Sequence, residues 1–348
     1  MQKYYGIELL RFLSSLTIAI YHWGISFGVM KMEKNNPFES FLKFAYDFGV
    51  NAVPVFFVIS GLVFATVYLS GEKRETVYNF TIKRFARLYP LHLLTLFLVL
   101  LLQTVFLKVF GKYELYTFND LYHFFLNLTF LLGWGFEDGR SFNTPVWTVG
   151  QEMVIYYLFF SMIMIIKKHR MFVVLLIYFT ILFIDKTKLI ELSVIKNIIS
   201  FSYFIEFVRL FFSGILIYFI INKFKNNLGL LFFSLFFLIF SFIGSFKLHI
   251  FCFSLVLLFV LMDKLNLSKK IKKVFTFLGS LTYSLYLLHT LTFLIFLFVL
   301  KYLNKIELLY LNLTFIFYLL FSIIISVISY FYFEKKANKF LRDKYIKI

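Results

Sequence analysis

Along the 348 residues, apolar runs of about 20 residues alternate with short polar breaks rich in Lys and Arg. Runs of that length read as membrane-crossing helices, because a transmembrane barrel would show short segments of alternating polarity. Ten spans are predicted, at 8–30, 46–69, 88–110, 146–166, 171–185, 198–221, 228–245, 247–262, 276–300 and 309–333. An even number puts both termini on one side of the membrane. The breaks at 71–87, 167–170, 222–227 and 263–274, with the tail from Glu334, hold about twice the Lys and Arg of the opposite loops. Positive charge stays inside, so both termini are predicted to be cytoplasmic. The longest outer segment, 111–145, contains LYHFFLNLTFLLGW. At about 14 residues that run is too short to span and suits an interfacial or re-entrant helix. No internal repeat or low-complexity linker interrupts the chain. The predicted fold is an all-α integral membrane protein, a bundle of about ten transmembrane helices forming a single domain over 1–348.

Composition agrees with this pattern. The chain is 61% hydrophobic and 23% aromatic, with 53 Phe, whereas a soluble domain is roughly half apolar. A net charge of +18 would suggest nucleic acid as a partner of a soluble protein. Here much of it lies in loops between spans, where it sets topology, and no nucleic-acid partner is expected. The one cysteine, Cys252, lies inside an apolar run. It allows no intramolecular disulfide and no cysteine-based metal site, and no metal is expected. The first apolar run is too long for a signal peptide and flows straight into the protein.

Chemistry concentrates where polar groups interrupt the spans. Arg11 and His22 share the first span. Eleven residues bring them to within roughly 20° of one helix face, about 16 Å apart along the axis. A charge in a span is expensive and persists where it lines a protein interior or a watery cavity. Two readings stand: a site facing a cation and a titratable base, or a snorkelling arginine with a histidine satisfied by backbone. The second span holds Pro54 and the Ser60–Gly61 pair, which predict a kinked, closely packed helix. Arg84 and Arg87, three apart beside Lys83 and ahead of Pro90, share a helix face. Their guanidinium forks suit a phosphate-rich ligand, or they mark the cytoplasmic edge and bind lipid headgroups.

In the fourth span Pro145 can open the helix, which places Glu152 about two turns inside. A carboxylate there needs a partner, and His22 is the candidate, since a carboxylate orients an imidazole for proton abstraction. Glu206 and Arg209 of the sixth span can neutralise each other, and Gly214 reads as a close-packing residue. In the ninth span Tyr283, Tyr286 and His289 recur every three residues along one side, with His289 at a depth comparable to His22. Glu334 closes the tenth span at the inner boundary.

Taken in order, several blocks resemble the acyltransferase 3 family of membrane proteins, which includes O-acetyltransferases of bacterial surface polysaccharides. They are Arg11–ten residues–His22, VPVFFVISG, RFAR with its following proline, PVWTVGQE and LTYSLYLLH. Thr148 and Gly150 depart from the more serine- and leucine-like run expected in the fourth block, whereas Trp147 and Glu152 are kept. The chain resembles the stand-alone form, without an appended hydrolase-like domain. The resemblance implies transfer of an acyl group, usually acetyl, from cytoplasmic acetyl-CoA as cosubstrate to a sugar hydroxyl. The acceptors it allows are O-antigen of lipopolysaccharide, capsule, exopolysaccharide or a lipid-linked oligosaccharide, and it places the protein in the inner (cytoplasmic) membrane.

On this reading His22, Glu152, Arg11 and His289 are catalytic, Arg84 and Arg87 hold the CoA phosphates, and Tyr283 and Trp147 orient substrate. Direct transfer is simpler than an acyl-enzyme. Two alternatives use the same buried groups. One is a proton-coupled transporter, although the paired broken helices of inverted repeats are not found. The other is an acyltransferase for succinyl or another acyl group.

Overall fold

Helix borders follow local chemistry more than hydropathy. The computed structural model describes residues 3–27, 39–69, 75–166, 170–187, 199–224, 227–243 and 248–346. Among them run α1 (Tyr5–Phe27), α2 (Glu39–Tyr68), α3 (Val77–Phe110), α4 (Leu121–Leu128), α5 (Trp147–Ile165) and α6 (Arg170–Thr187). They are followed by α7 (Ile199–Lys223), α8 (Asn227–Ile243), α9 (Leu248–Leu261), α10 (Lys269–Tyr302), α11 (Asn312–Ser329) and α12 (Lys335–Tyr345). No strand occurs among the described residues. Seven helical stretches there are long and apolar enough to cross a membrane: Asn51–Tyr68, Val77–Phe110, Thr144–Ile165, Tyr203–Lys223, Leu248–Leu265, Lys269–Tyr302 and Asn312–Tyr345. Arg170–Phe183 and Asn227–Ser241 are shorter apolar helices. The protein is an all-helical, multi-pass membrane protein. The expected end of the first span at 28–30, and parts of the polar breaks at 71–74, 167–169 and 225–226, lie outside the described residues.

Three helices run well beyond the hydropathy borders. α3 begins at Val77 because the Thr76 side chain accepts from the Asn79 amide, capping it 11 residues before the apolar run at 88. The RFAR stretch is therefore helical, and Pro90 lies inside the helix. α10 starts at Lys269 instead of 276. The last span continues through a π-helical segment, Tyr330–Glu334, into α12. By contrast, the apolar run in 111–145 yields only the eight-residue α4, capped by Asp120, whose carboxylate accepts from the His123 amide at 2.9 Å.

Contacts divide the chain into two compact units. The first comprises Met1–Ser14, Asn51–Arg74 and Gln151–Ser280. The second comprises Ser15–Val50, Glu75–Gly150 and Leu281–Ile348. α1, α2, α5 and α10 each contribute residues to both.

In the first unit α2 crosses α7 at two reciprocal glycines. A Cβ at Gly61 would overlap the Phe211 carbonyl, and one at Gly214 would overlap the Val58 carbonyl. Hydrogen at these positions lets the backbones touch, as close helix packing in membranes requires. Phe57 stacks on Phe207 with centroids 4.0 Å apart, and Phe64 stacks on Tyr156 at the same spacing. α6 packs on α7, α7 on α9 and α9 on α8. The start of α1 is capped from far along the chain: Asp263 accepts from the amides of Tyr5 (2.8 Å) and Gly6 (3.1 Å). A carboxylate there satisfies two of the amides that a helix N-terminus leaves open.

In the second unit α3 and α10 run parallel, with Leu88 level with Tyr283 and Phe106 level with Phe298. α11 runs antiparallel to α10, with Thr292 opposite Ser322. The core between them centres on Trp23, Phe106, Phe293, Phe315 and Tyr318. Trp23 meets Phe293 edge-on at 5.5 Å and Tyr318 at 4.6 Å. At one end Gln103 clamps the Glu114 backbone through both amide groups (2.7 and 3.0 Å), and Lys301 pairs with the Glu114 carboxylate.

Candidate active site

Within the second unit, the parts of α1 and α10 that belong to it bring a pair of imidazoles together. His289 of α10 is fully buried, and its Nδ1 lies 3.2 Å from the Leu285 carbonyl, one turn back. A carbonyl only accepts, so Nδ1 bears the proton and Nε2 carries the lone pair. His22 Nδ1 lies 2.9 Å from that Nε2, so His22 donates through Nδ1. Its own Nε2 is thereby the basic nitrogen. The rings are nearly parallel, 16° apart. Thr290 Oγ1 also approaches His289 Nε2, at 3.3 Å.

The wall that holds α10 comes from the turn before α5. Tyr286 donates to the Pro145 carbonyl at 2.8 Å and meets Thr148 Oγ1 at 2.6 Å. Asn143, with no exposed surface, donates to the Leu287 carbonyl (3.0 Å) and to Thr95 of α3 (3.2 Å). Thr148 departs from the serine expected at its place, yet its hydroxyl still performs a defined task. Asn143 and Tyr286 were not assigned a role in the sequence, because nothing there reveals which carbonyl each one holds.

Arg140 is exposed in the turn before α5, and its charge acts on the half-buried Tyr116. Burial raises the Tyr116 hydroxyl above its ordinary range.

Glu152 belongs to the first unit. Ser60 Oγ donates to its Oε1 at 2.8 Å, and Tyr156 donates to the same oxygen. The two hydroxyls are 3.1 Å apart. Ser60, which read as a packing residue, is therefore a partner of the carboxylate. The expected pairing of Glu152 with His22 joins residues of different units, and within its own unit each has another partner.

The other expected site residues are placed as follows. Arg11 is partly buried and pairs with Glu8 at 3.2 Å. Trp147 packs on Gly133, whose φ of +85° and close approach leave no room for a side chain. Tyr283 donates to the Leu88 carbonyl at 2.6 Å, which ties α10 to α3. Arg84 and Arg87 stand on α3, with the Arg84 guanidinium 5.6 Å from the Phe80 ring centroid. Arg209, expected to pair with Glu206, donates through Nε to His249 Nε2 at 2.7 Å.

Two adjoining imidazoles on apolar helices make up this site, in an all-helical, multi-pass membrane protein. A family model described as an acyltransferase domain matches residues 4–331, nearly the whole chain. The chain belongs to that family, acyltransferase 3, and is a membrane acyltransferase. Neither a curated protein nor a solved structure matches it.

Proposed function

We propose that the protein transfers an acyl group, acetyl in the first instance, from cytoplasmic acyl-CoA to a sugar hydroxyl. The sugar belongs to a cell-surface or lipid-linked polysaccharide, and the enzyme resides in the inner membrane with both termini in the cytoplasm. One observation carries this reading: His22 Nδ1 lies 2.9 Å from His289 Nε2 while His289 Nδ1 faces the Leu285 carbonyl, a pattern that leaves His22 Nε2 to take a proton. An oriented imidazole is the usual general base for a hydroxyl nucleophile.

In this reading His22 Nε2 removes the acceptor hydroxyl proton as the oxygen attacks the thioester carbonyl. The tetrahedral oxyanion collapses, the C–S bond breaks, and the departing CoA sulfur recovers the proton from the imidazolium. No acyl-enzyme is required. Arg84 and Arg87 grip the CoA phosphates through their guanidinium forks. Arg11, Glu152, Trp147 and Tyr283 enter through the family motifs that carry them, and substituting Arg11 or Glu152 is expected to slow transfer.

The test uses cells expressing wild type, His22→Ala or no copy of the gene. Their surface polysaccharides are examined by mass spectrometry for O-linked acyl groups. Acetyl on a glycan repeat with wild type alone supports the reading and identifies the acceptor. No acyl gain on any glycan, with the protein correctly inserted, overturns it.

A further inference from the structure

α12 carries Lys335, Lys336, Lys339, Arg342 and Lys344 within 11 residues, more charge than stopping a span requires. Its position follows from two adjacent residues of α10. Tyr283 donates to the Leu88 carbonyl of α3, and Ser284 donates to Glu334 Oε2, each at 2.6 Å. Glu334 is therefore level with Leu88. The chain through α11 runs antiparallel to α10, whereas α3 runs parallel to it. α12, which packs on α3, therefore passes along the first turns of α3, those that carry Lys83, Arg84 and Arg87.

A shallow, open cleft of about 330 Å³ runs along this helical stretch, lined by Tyr330, Glu334, Lys335, Asn338, Lys339, Arg342 and Asp343, with the three cations exposed. Lys335, Lys339 and Arg342 follow one another at spacings of four and three, so they share a helix face. The π-helical segment just before them sets the direction of that face, and such segments recur at functional sites. Among the described residues no ion pair neutralises these three cations. Glu334 is engaged by Ser284, and Lys83 pairs with Glu75.

We propose that this cleft binds a phosphate group. A guanidinium and two ammonium groups on one face supply the donors that phosphate oxygens accept, and Asp343 is the carboxylate that opposes binding. Two sources share the chemistry: the phosphorylated adenosine end of an acyl-CoA, and the headgroup of an anionic phospholipid. The first rests on the donor reading above and the second does not.

The experiment measures binding to the purified full-length protein, with adenosine 3′,5′-bisphosphate as one probe and phosphatidylglycerol as the other. Calorimetry reads the nucleotide, and native mass spectrometry counts bound lipid. Replacing Lys335, Lys339 and Arg342 together by Gln is expected to weaken the responsible probe on the order of 100-fold, about 5-fold per cation. Asp343→Asn is expected to tighten it about 5-fold. Loss confined to the nucleotide assigns the cleft to the donor, loss confined to the lipid assigns it to a headgroup, and loss of both shows a shared phosphate site. Unchanged binding in the triple variant, or no binding by wild type, overturns the proposal. Arg84→Ala with Arg87→Ala, measured in parallel against acetyl-CoA, reports on the donor grip separately.

Discussion

His22 Nδ1 lies 2.9 Å from His289 Nε2, and His289 Nδ1 faces the Leu285 carbonyl. Both protons of this relay point away from His22 Nε2. His22→Ala is expected to cut transfer about 10²- to 10⁴-fold, the usual weight of a general base. His289→Leu removes the acceptor and should cost about 10- to 100-fold in kcat with KM little changed. His289→Gln restores an acceptor oxygen and should recover part of that loss. Equal rates for the Gln and Leu variants would exclude the orienting role.

Ser60 and Tyr156 both donate to one oxygen of Glu152. Ser60→Ala and Tyr156→Phe are each expected to cost about 1–3 kcal/mol, because each leaves a half-buried carboxylate with one donor fewer. The double variant should depart from additivity by at least about 0.5 kcal/mol, since the two hydroxyls share a single acceptor. Thermal denaturation in detergent checks this, and strict additivity would sink the shared-acceptor account.

The crossing of α2 and α7 offers a test that involves no polar group. Gly61→Ala pushes a methyl into the Phe211 carbonyl, and Gly214→Ala does the same to Val58. Each is expected to destabilise the protein by about 1–3 kcal/mol through overpacking. Melting temperatures as high as wild type for both would refute backbone contact at this crossing.

Asp120 caps α4, and the His123 backbone amide, followed by the His123 side chain, holds its carboxyl below the ordinary value. A depressed folded-state pKa means the contribution is present above the unfolded value of about 3.9 and is lost as pH falls through the folded one. Hydrogen exchange across Leu121–Leu128 should therefore accelerate below about pH 4. Asp120→Asn retains a capping oxygen and should flatten that dependence. An identical pH profile in the variant would contradict it.

Most helices were legible from apolar run length, because hydrocarbon leaves the backbone few other choices. The differences lie at the span borders, where charge marks the membrane edge without ending the helix. Arg84 and Arg87 share a helix face as their spacing predicts, and Thr76 caps that helix before the apolar run begins. The site residues were identifiable because charged groups are conspicuous in an apolar span. Their partnerships were not. Glu152 invited a histidine on grounds of charge, yet in its own unit it takes two hydroxyls, Ser60 and Tyr156, that hydropathy cannot separate from packing residues. The imidazole of His289 is legible by its depth and its three-residue spacing with Tyr283 and Tyr286, whereas its contacts with His22 and the Leu285 carbonyl are not.

The carboxylate that closes the start of α1 lies 258 residues downstream of Tyr5. At a translation rate of about 5–20 residues per second, the ribosome reaches Asp263 roughly 10–50 s after it has made Tyr5. Throughout that interval the first helix is without this cap. The N-terminus of α1 is locked only when the turn that follows α9 has been made. A nascent chain stalled before Asp263 would present a first helix whose end is still open to solvent and to quality-control proteases.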